Sequence, residues 1–209
     1  MSAQSVEASA ESSHMGAGSL PDWVFPPPDG YTADVFLKMR DLPRHTELID
    51  GSLIFVSPQQ LWHSRVLRFL TDELDRQAPD DMRADQEMVV KLGKRQAPEP
   101  DVLVVTSAAA EEDDSRTYYL PEDVILAVEA MSPSSEERDR ETKPPKYAAA
   151  GIRHFWRVEK DDGRIVVYVY ERDPATREYA LTGIHHARLK LTVPFDIDID
   201  LTAVGQRRH

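Results

Sequence analysis

The sequence predicts a mixed α/β domain, a small mixed sheet flanked by helices, and three observations carry that expectation. Two uninterrupted apolar runs, Val102-Leu103-Val104-Val105 and Val124-Ile125-Leu126-Ala127-Val128, have the length and composition of strands. Residues 61–77 place Val66, Leu67, Phe69, Leu70 and Leu74 in one broad helical stripe. Asp50-Gly51 and Asp161-Asp162-Gly163 interrupt apolar runs as hairpin turns do.

Taken in order, residues 1–22 are rich in Ser, Ala, Glu and Gly and read as a disordered tail. Trp23, Phe25 and Pro26-Pro27-Pro28 form an extended lead-in to a domain spanning 23–203, with 204–209 as a C-terminal tail. Val35, Phe36 and Met39 give residues 31–40 helical spacing, with Thr32 as N-cap. Residues 47–56 read as a hairpin about Asp50-Gly51, 61–77 as a helix, and 88–92 as a strand that leaves through Gly93-Lys94. Strands over 101–105 and 124–130 follow, joined by a long acidic loop. Ser132-Pro133-Ser134-Ser135 stops the second strand and caps a helix, which ends at Tyr147-Ala148-Ala149-Ala150 with Gly151 as its C-cap. Residues 154–159 and 164–171 make a hairpin, and 179–182 with 188–193 a last pair. No internal repeat is visible.

Composition narrows the function classes. At 209 residues and 41% hydrophobic, the chain suits one cored domain with tails. It has no cysteine, which excludes disulfides and cysteine-bound zinc and fits a reducing compartment. No apolar run reaches membrane-spanning length and no signal peptide opens the chain, so no membrane partner and a cytoplasmic location are expected. A net charge of −12 argues against nucleic acid at first sight. The acidity is uneven, however. Residues 1–30 and 107–123 hold most of it, whereas 131–153 carry four acids and five bases.

The candidate chemistry sits at the strand ends. If 101–105 and 124–130 pair antiparallel, Asp101 and Glu129 come side by side at one edge of an otherwise apolar sheet. Two such carboxylates repel and are costly to desolvate unless a cation or proton joins them. Mg²⁺ (or Mn²⁺) is the natural guest. Asp101 alone also reads as a residue marking a strand start after Pro100, but Glu129 ends a run of buried-type residues and needs a partner. Residues 139–143 have the mixed charges of a solvated helix face. Pro144-Pro145 sets Lys143 apart, because prolines there predict a helix restart or kink that fixes the lysine's direction. Glu47 is either a third carboxylate or a strand-edge residue beside the turn. His63, at the start of the 61–77 helix, is either a packing residue or a contact to a metal-bound water or a phosphate.

The ordered series Glu47-Leu48-Ile49-Asp50-Gly51, Ser57-Pro58 with His63, Pro100-Asp101, Val128-Glu129-Ala130-Met131-Ser132-Pro133-Ser134, Asp139-Arg140-Glu141-Thr142-Lys143, Tyr147-Ala148, Ala150-Gly151-Ile152 and Phe155-Trp156-Arg157-Val158 resembles the Uma-two family of restriction endonucleases in the PD-(D/E)XK nuclease superfamily. The resemblance covers roughly residues 30–200. It implies a restriction-endonuclease-like core, Mg²⁺ dependence and DNA cleavage, with Asp101 and Glu129 as metal ligands. The superfamily pattern puts a lysine two residues after the second acid, where this chain has Met131. Lys143, on the following helix, stands at the matching place.

Three functions are therefore weighed: a Mg²⁺-dependent DNA endonuclease, a binding module of the same fold without catalysis, and a hydrolase of a small phosphodiester. Cutting both strands of DNA suits two-fold symmetry and admits a homodimer. Trp156 and Val167-Tyr168-Val169-Tyr170 read as core and cross-strand pairs in preference to a dimer surface.

Overall fold

In the computed structural model, which describes residues 21–111, 115–132 and 135–204, the two apolar runs lie at the centre of a six-stranded mixed sheet. Of the expected tails 1–22 and 204–209, residues 1–20 and 205–209 lie outside the described residues, as does Pro133-Ser134 of the expected cap, while Asp22–Val24 form a single 3₁₀ turn in place of a tail end and an extended lead-in.

The elements are α1 (Ala33–Phe36), β1 (Glu47–Ile49), β2 (Ser52–Ile54), α2 (Leu61–Gln77), β3 (Met82–Gln86), β4 (Val89–Val90), β5 (Val102–Thr106), α3 (Ser107–Glu111), β6 (Tyr118–Tyr119), β7 (Val124–Ala130), α4 (Lys143–Ala150), β8 (His154–Asp161), β9 (Arg164–Arg172), β10 (Tyr179–His185), β11 (Arg188–Leu191) and β12 (Ile197–Asp200). The main sheet runs β10-β9-β8-β7-β5-β3. Its neighbours are antiparallel except β7 and β8, which run parallel and are joined by a crossover through α4.

Both faces of the sheet are covered, which is why β5 and β7 are apolar throughout rather than alternating. Val66, Leu67, Leu70 and Leu74 of α2 pack against Val102, Val104, Leu126, Val128 and Trp156. Each such leucine, fully removed from water, contributes about 1.5–3 kcal/mol. On the other face Leu103, Val105 and Ala127 meet Tyr147 of α4 and Phe155. Trp156 and Val169 are cross-strand partners and both are buried, as expected of a core pair.

The β1–β2 hairpin turns at Asp50-Gly51, both in the left-handed region (φ 52° and 81°). A side chain at Gly51 would also strike the Arg95 guanidinium. The hairpin docks through main-chain bonds exchanged between Leu48 and Ala97.

Several expectations need correction. The helix expected over 31–40 is only Ala33–Phe36, capped by Thr32 as read; it buries Ala33 and Phe36 alone. The strand expected over 88–92 is reduced to Val89–Val90, paired with Tyr118–Tyr119. That second strand and α3 occupy ground expected to be loop. The strand Met82–Gln86 was not expected, because only Ala84 of its five residues is buried. Residues 179–182 and 188–193 do not pair. β10 extends the main sheet beside β9, with a register shift between Leu181 and Gly183, and β11 pairs with β12. Leu189 faces Ile199 while Lys190 faces Asp198, so the charged and apolar registers agree only in that pairing.

Candidate functional site

The site forms where chain direction and sheet register bring separate segments to one edge. Val102 pairs with Val128, so the next position out sets Asp101 against Glu129. Asp101 Oδ2 accepts the Ala130 amide at 2.6 Å, which ties the start of one strand to the end of the other.

Lys143 reaches this edge from the crossover. Pro144 and Pro145 have no N–H to continue a regular helical ladder behind them. The turn over Arg138–Thr142 widens accordingly, and the Lys143 amide bonds back five residues to Arg138 O. Lys143 Nζ then lies 2.8 Å from Glu47 Oε1, 3.1 Å from Glu129 Oε2 and 3.3 Å from Asp139 Oδ1. Glu129 is 1% exposed and Lys143 4%, so this cluster is cut off from solvent screening. The Tyr147 hydroxyl donates to the second Glu129 oxygen at 2.5 Å. Glu47 is fixed by the docked hairpin, and its Oε1 also accepts the Glu99 amide at 2.9 Å. His63 Nε2 stands 3.2 Å from Asp101 Oδ1, without the alignment of a hydrogen bond.

All five residues singled out from the sequence, Glu47, His63, Asp101, Glu129 and Lys143, therefore line one cleft. Sequence reasoning missed four others. Asp139 lay inside a run read as a solvated face, yet it is buried one helical turn before Lys143. Tyr147 was read only as a helix-end residue. Glu99 and His45 pair at 2.6 Å on the cleft wall. Glu99 carried a usable signal: prolines on both sides extend it, and it alternates with Asp101.

Charge is not balanced here. Six carboxylates line the cleft against two permanent cations, Lys143 and Arg138. Burial holds the Glu129 carboxyl well above its ordinary range, with Lys143 opposing the shift only in part. Burial likewise raises Asp139 and Glu99, opposed by Lys143 and by His45 respectively. Burial disfavours the charge on Lys143, but Glu129, Glu47, Asp139 and Asp101 outweigh it and hold the ammonium well above the usual lysine range. Burial also works against a charged His63, while Asp101 more than compensates and raises it. The direction that governs the cluster is a retained ammonium among surplus carboxylates, which calls for a further proton or cation.

A divalent ion meets that need in donor chemistry. The donors are hard carboxylate oxygens, buried Asp139 Oδ1 has the Lys143 ammonium beside it at 3.3 Å but no aligned hydrogen bond, and the cavity at the centre, about 30 Å³, has room for a water or a bare ion. Among the described residues, no three acidic or histidine side chains already converge on one ion position. The Lys143 ammonium itself lies against oxygens of Glu47 and Glu129.

A mixed sheet with a crossover helix, and acids and a lysine gathered at one sheet edge, defines a nuclease-like α/β fold. The chain belongs to the Uma2 family, described as "Putative restriction endonuclease", whose match spans residues 33–203. Among solved structures it is similar to a protein from Anabaena variabilis described as a "putative nuclease". The two are 17% identical, with a TM-score of 0.65, and the alignment covers 83% of this chain and 96% of the other. That likeness supports the fold. No curated protein matches the sequence. Among the described residues, no helix is long and apolar enough to cross a membrane.

Proposed function

We propose that this protein is an endonuclease that hydrolyses phosphodiester bonds in DNA with the help of Mg²⁺ or Mn²⁺. The observation that carries the reading is the buried Lys143 ammonium set between Glu47 and Glu129, next to Asp101. A purely structural sheet edge gains nothing from burying such a surplus of acids.

Asp101 and Glu129 would hold the ion, with Glu47 as a further oxygen donor. When bound, such an ion supplies an acidified water and neutralises charge on a phosphoryl oxygen. The chain's own residues do the rest. Lys143, kept cationic, orients the attacking oxygen and offsets the negative charge that builds on the phosphorus centre. Tyr147 and Lys143 hold opposite oxygens of Glu129, so its carboxylate plane is fixed before substrate arrives. His63, whose charged form Asp101 favours against burial, can donate to a phosphate oxygen.

The test is plasmid nicking with Mg²⁺ or Mn²⁺ against chelator, in the intact protein and in Glu129→Ala and Lys143→Ala. Nicking that needs the ion and disappears in both variants supports the reading. A wild-type rate in Lys143→Ala removes that residue from it.

One observation favours a second reading, a catalytically silent module of the same fold: the lysine already contacts the oxygens an ion would need. Calorimetric titration with Mg²⁺ separates the two. Binding that vanishes in Asp101→Ala supports the enzyme; no binding to the intact protein supports the silent module.

A further inference from the structure

A second concavity opens at the same end of the sheet and plays no part in the site just described. Its volume is about 630 Å³, and it lies between the start of α2, the β8–β9 turn and the segment after β12. Its floor is apolar, formed by half-buried Trp62 and buried Ile165. Its rim carries Arg65, Lys160, Arg164 and His186, all exposed.

The charge of this groove runs against that of the chain. The protein has 37 acids and 25 Lys and Arg residues. No acid lines the groove, although Asp161 and Asp162 occupy the intervening turn. Arg65, Lys160 and Arg164 make no ion pair with an acid among the described residues. A set of unpaired cations around an aromatic floor is the chemistry that holds a phosphodiester backbone with stacked bases.

Its position fits the same ligand. Glu129 is the register partner of Arg157 on parallel β8, and Lys160 lies three residues further along that strand, on the other face of the sheet. At the rise of a strand that is about 10 Å, the length of about three phosphates on one strand of DNA. Trp62 immediately precedes His63, which faces Asp101 in the cleft. The groove thus lies at the same end of the sheet as the cleft but on its α2 face, so a strand leaving the cleft reaches it by passing around the end of β8.

We propose that this groove binds a single-stranded stretch of nucleic acid flanking the bond to be cut, with Arg65, Lys160 and Arg164 on the phosphates and Trp62 under a base. The inference rests on the nuclease reading and names where its substrate lies. A single strand is the occupant because only an unstacked base can lay its face on the Trp62 ring, whereas in a duplex both faces of each base are already stacked.

The test is fluorescence anisotropy of a labelled single-stranded oligodeoxynucleotide, in chelator and over a range of salt. The proteins compared are the intact chain, the triple variant Arg65→Gln/Lys160→Gln/Arg164→Gln, and Trp62→Leu. All three cations are exposed, so the triple variant keeps its fold, and its melting temperature checks this. Three lost phosphate contacts reduce the salt slope by about 2 and weaken binding roughly a hundredfold at moderate salt. Loss of the stacking surface weakens it about five- to 160-fold with the salt slope unchanged. Unchanged affinity and slope in the triple variant overturn the groove assignment, while metal-dependent nicking by that same variant leaves the nuclease reading intact. Binding of duplex but not of single strand overturns the choice of occupant. An intact protein that neither binds nor cuts overturns both.

Discussion

Replacing Lys143 by methionine tests the electrostatic core of the site without altering its packing. Methionine keeps most of the lysine stem and removes only the ammonium. In the native protein that ammonium lies 2.8 Å from Glu47 and 3.1 Å from Glu129, and both partners are buried. Removing one member of a buried pair leaves the other uncompensated, at a cost of about 3–5 kcal/mol. For a chain of this length each kcal/mol lowers the melting temperature by about 2–4 °C, so thermal unfolding at pH 7 should show a loss of about 6–20 °C. The loss should also depend on pH in a defined sense. Without the ammonium, Glu129 and Asp139, already raised by burial, bind protons more tightly in the folded protein than in the unfolded one. Native stability then rises as pH falls toward the unfolded carboxylate range and is lost as pH rises through the folded values. The gap to wild type should therefore narrow between pH 7 and pH 5. A variant as stable as wild type at pH 7, or a gap that does not change with pH, refutes the reasoning.

Other outcomes are more local. Tyr147→Phe removes the donor on Glu129 Oε1 and should cost about 1–3 kcal/mol in denaturant unfolding, with slower nicking because Glu129 is no longer held on both sides. Leu70→Ala, at the fully buried centre of the α2 stripe, should lose about 2–5 kcal/mol; a loss below 1 kcal/mol would mean α2 does not seal that face. Burial lowers His154 below its ordinary value, so folding favours its neutral form. That share of stability is present above the unfolded histidine value and is lost as pH falls through the folded one. His154→Gln should flatten the melting curve's pH dependence below about pH 6.5 relative to wild type, and identical slopes would rule the group out.

Much of the architecture was legible because it rests on patterns that burial enforces. The α2 stripe, the two central strands and the Asp-Gly turns announce themselves through spacing and turn chemistry alone. So did the meeting of Asp101 and Glu129, since antiparallel pairing fixes which ends adjoin. Among the peripheral strands, β10 and β11 were legible as segments but not in their pairing, and β3 and β12 were not legible at all. β3 buries a single alanine, and the β11–β12 pair is specified by which residues face each other, information absent from either segment alone. Asp139 was hidden for another reason. Its neighbours Arg138, Arg140 and Glu141 give it the composition of a surface, and only the widened turn ahead of the two prolines carries it inward. Tyr147 reads in the sequence only as a helix-end residue, because nothing local shows that its ring packs in the core and its hydroxyl reaches Glu129.

The two outer strands of the main sheet bear on how copies of this molecule can meet. An unpaired strand invites another chain to extend the sheet, and both borders here discourage it. β3 alternates Arg83 and Asp85 along its length, and the irregularity at Leu181 and Gly183 breaks the even spacing of free amides and carbonyls that an incoming strand would need. Any symmetric pairing of two molecules is thereby pushed away from sheet continuation and onto helices, loops or the hairpin. That would leave the strand ends, where the acids and the lysine gather, free to approach a ligand from the side.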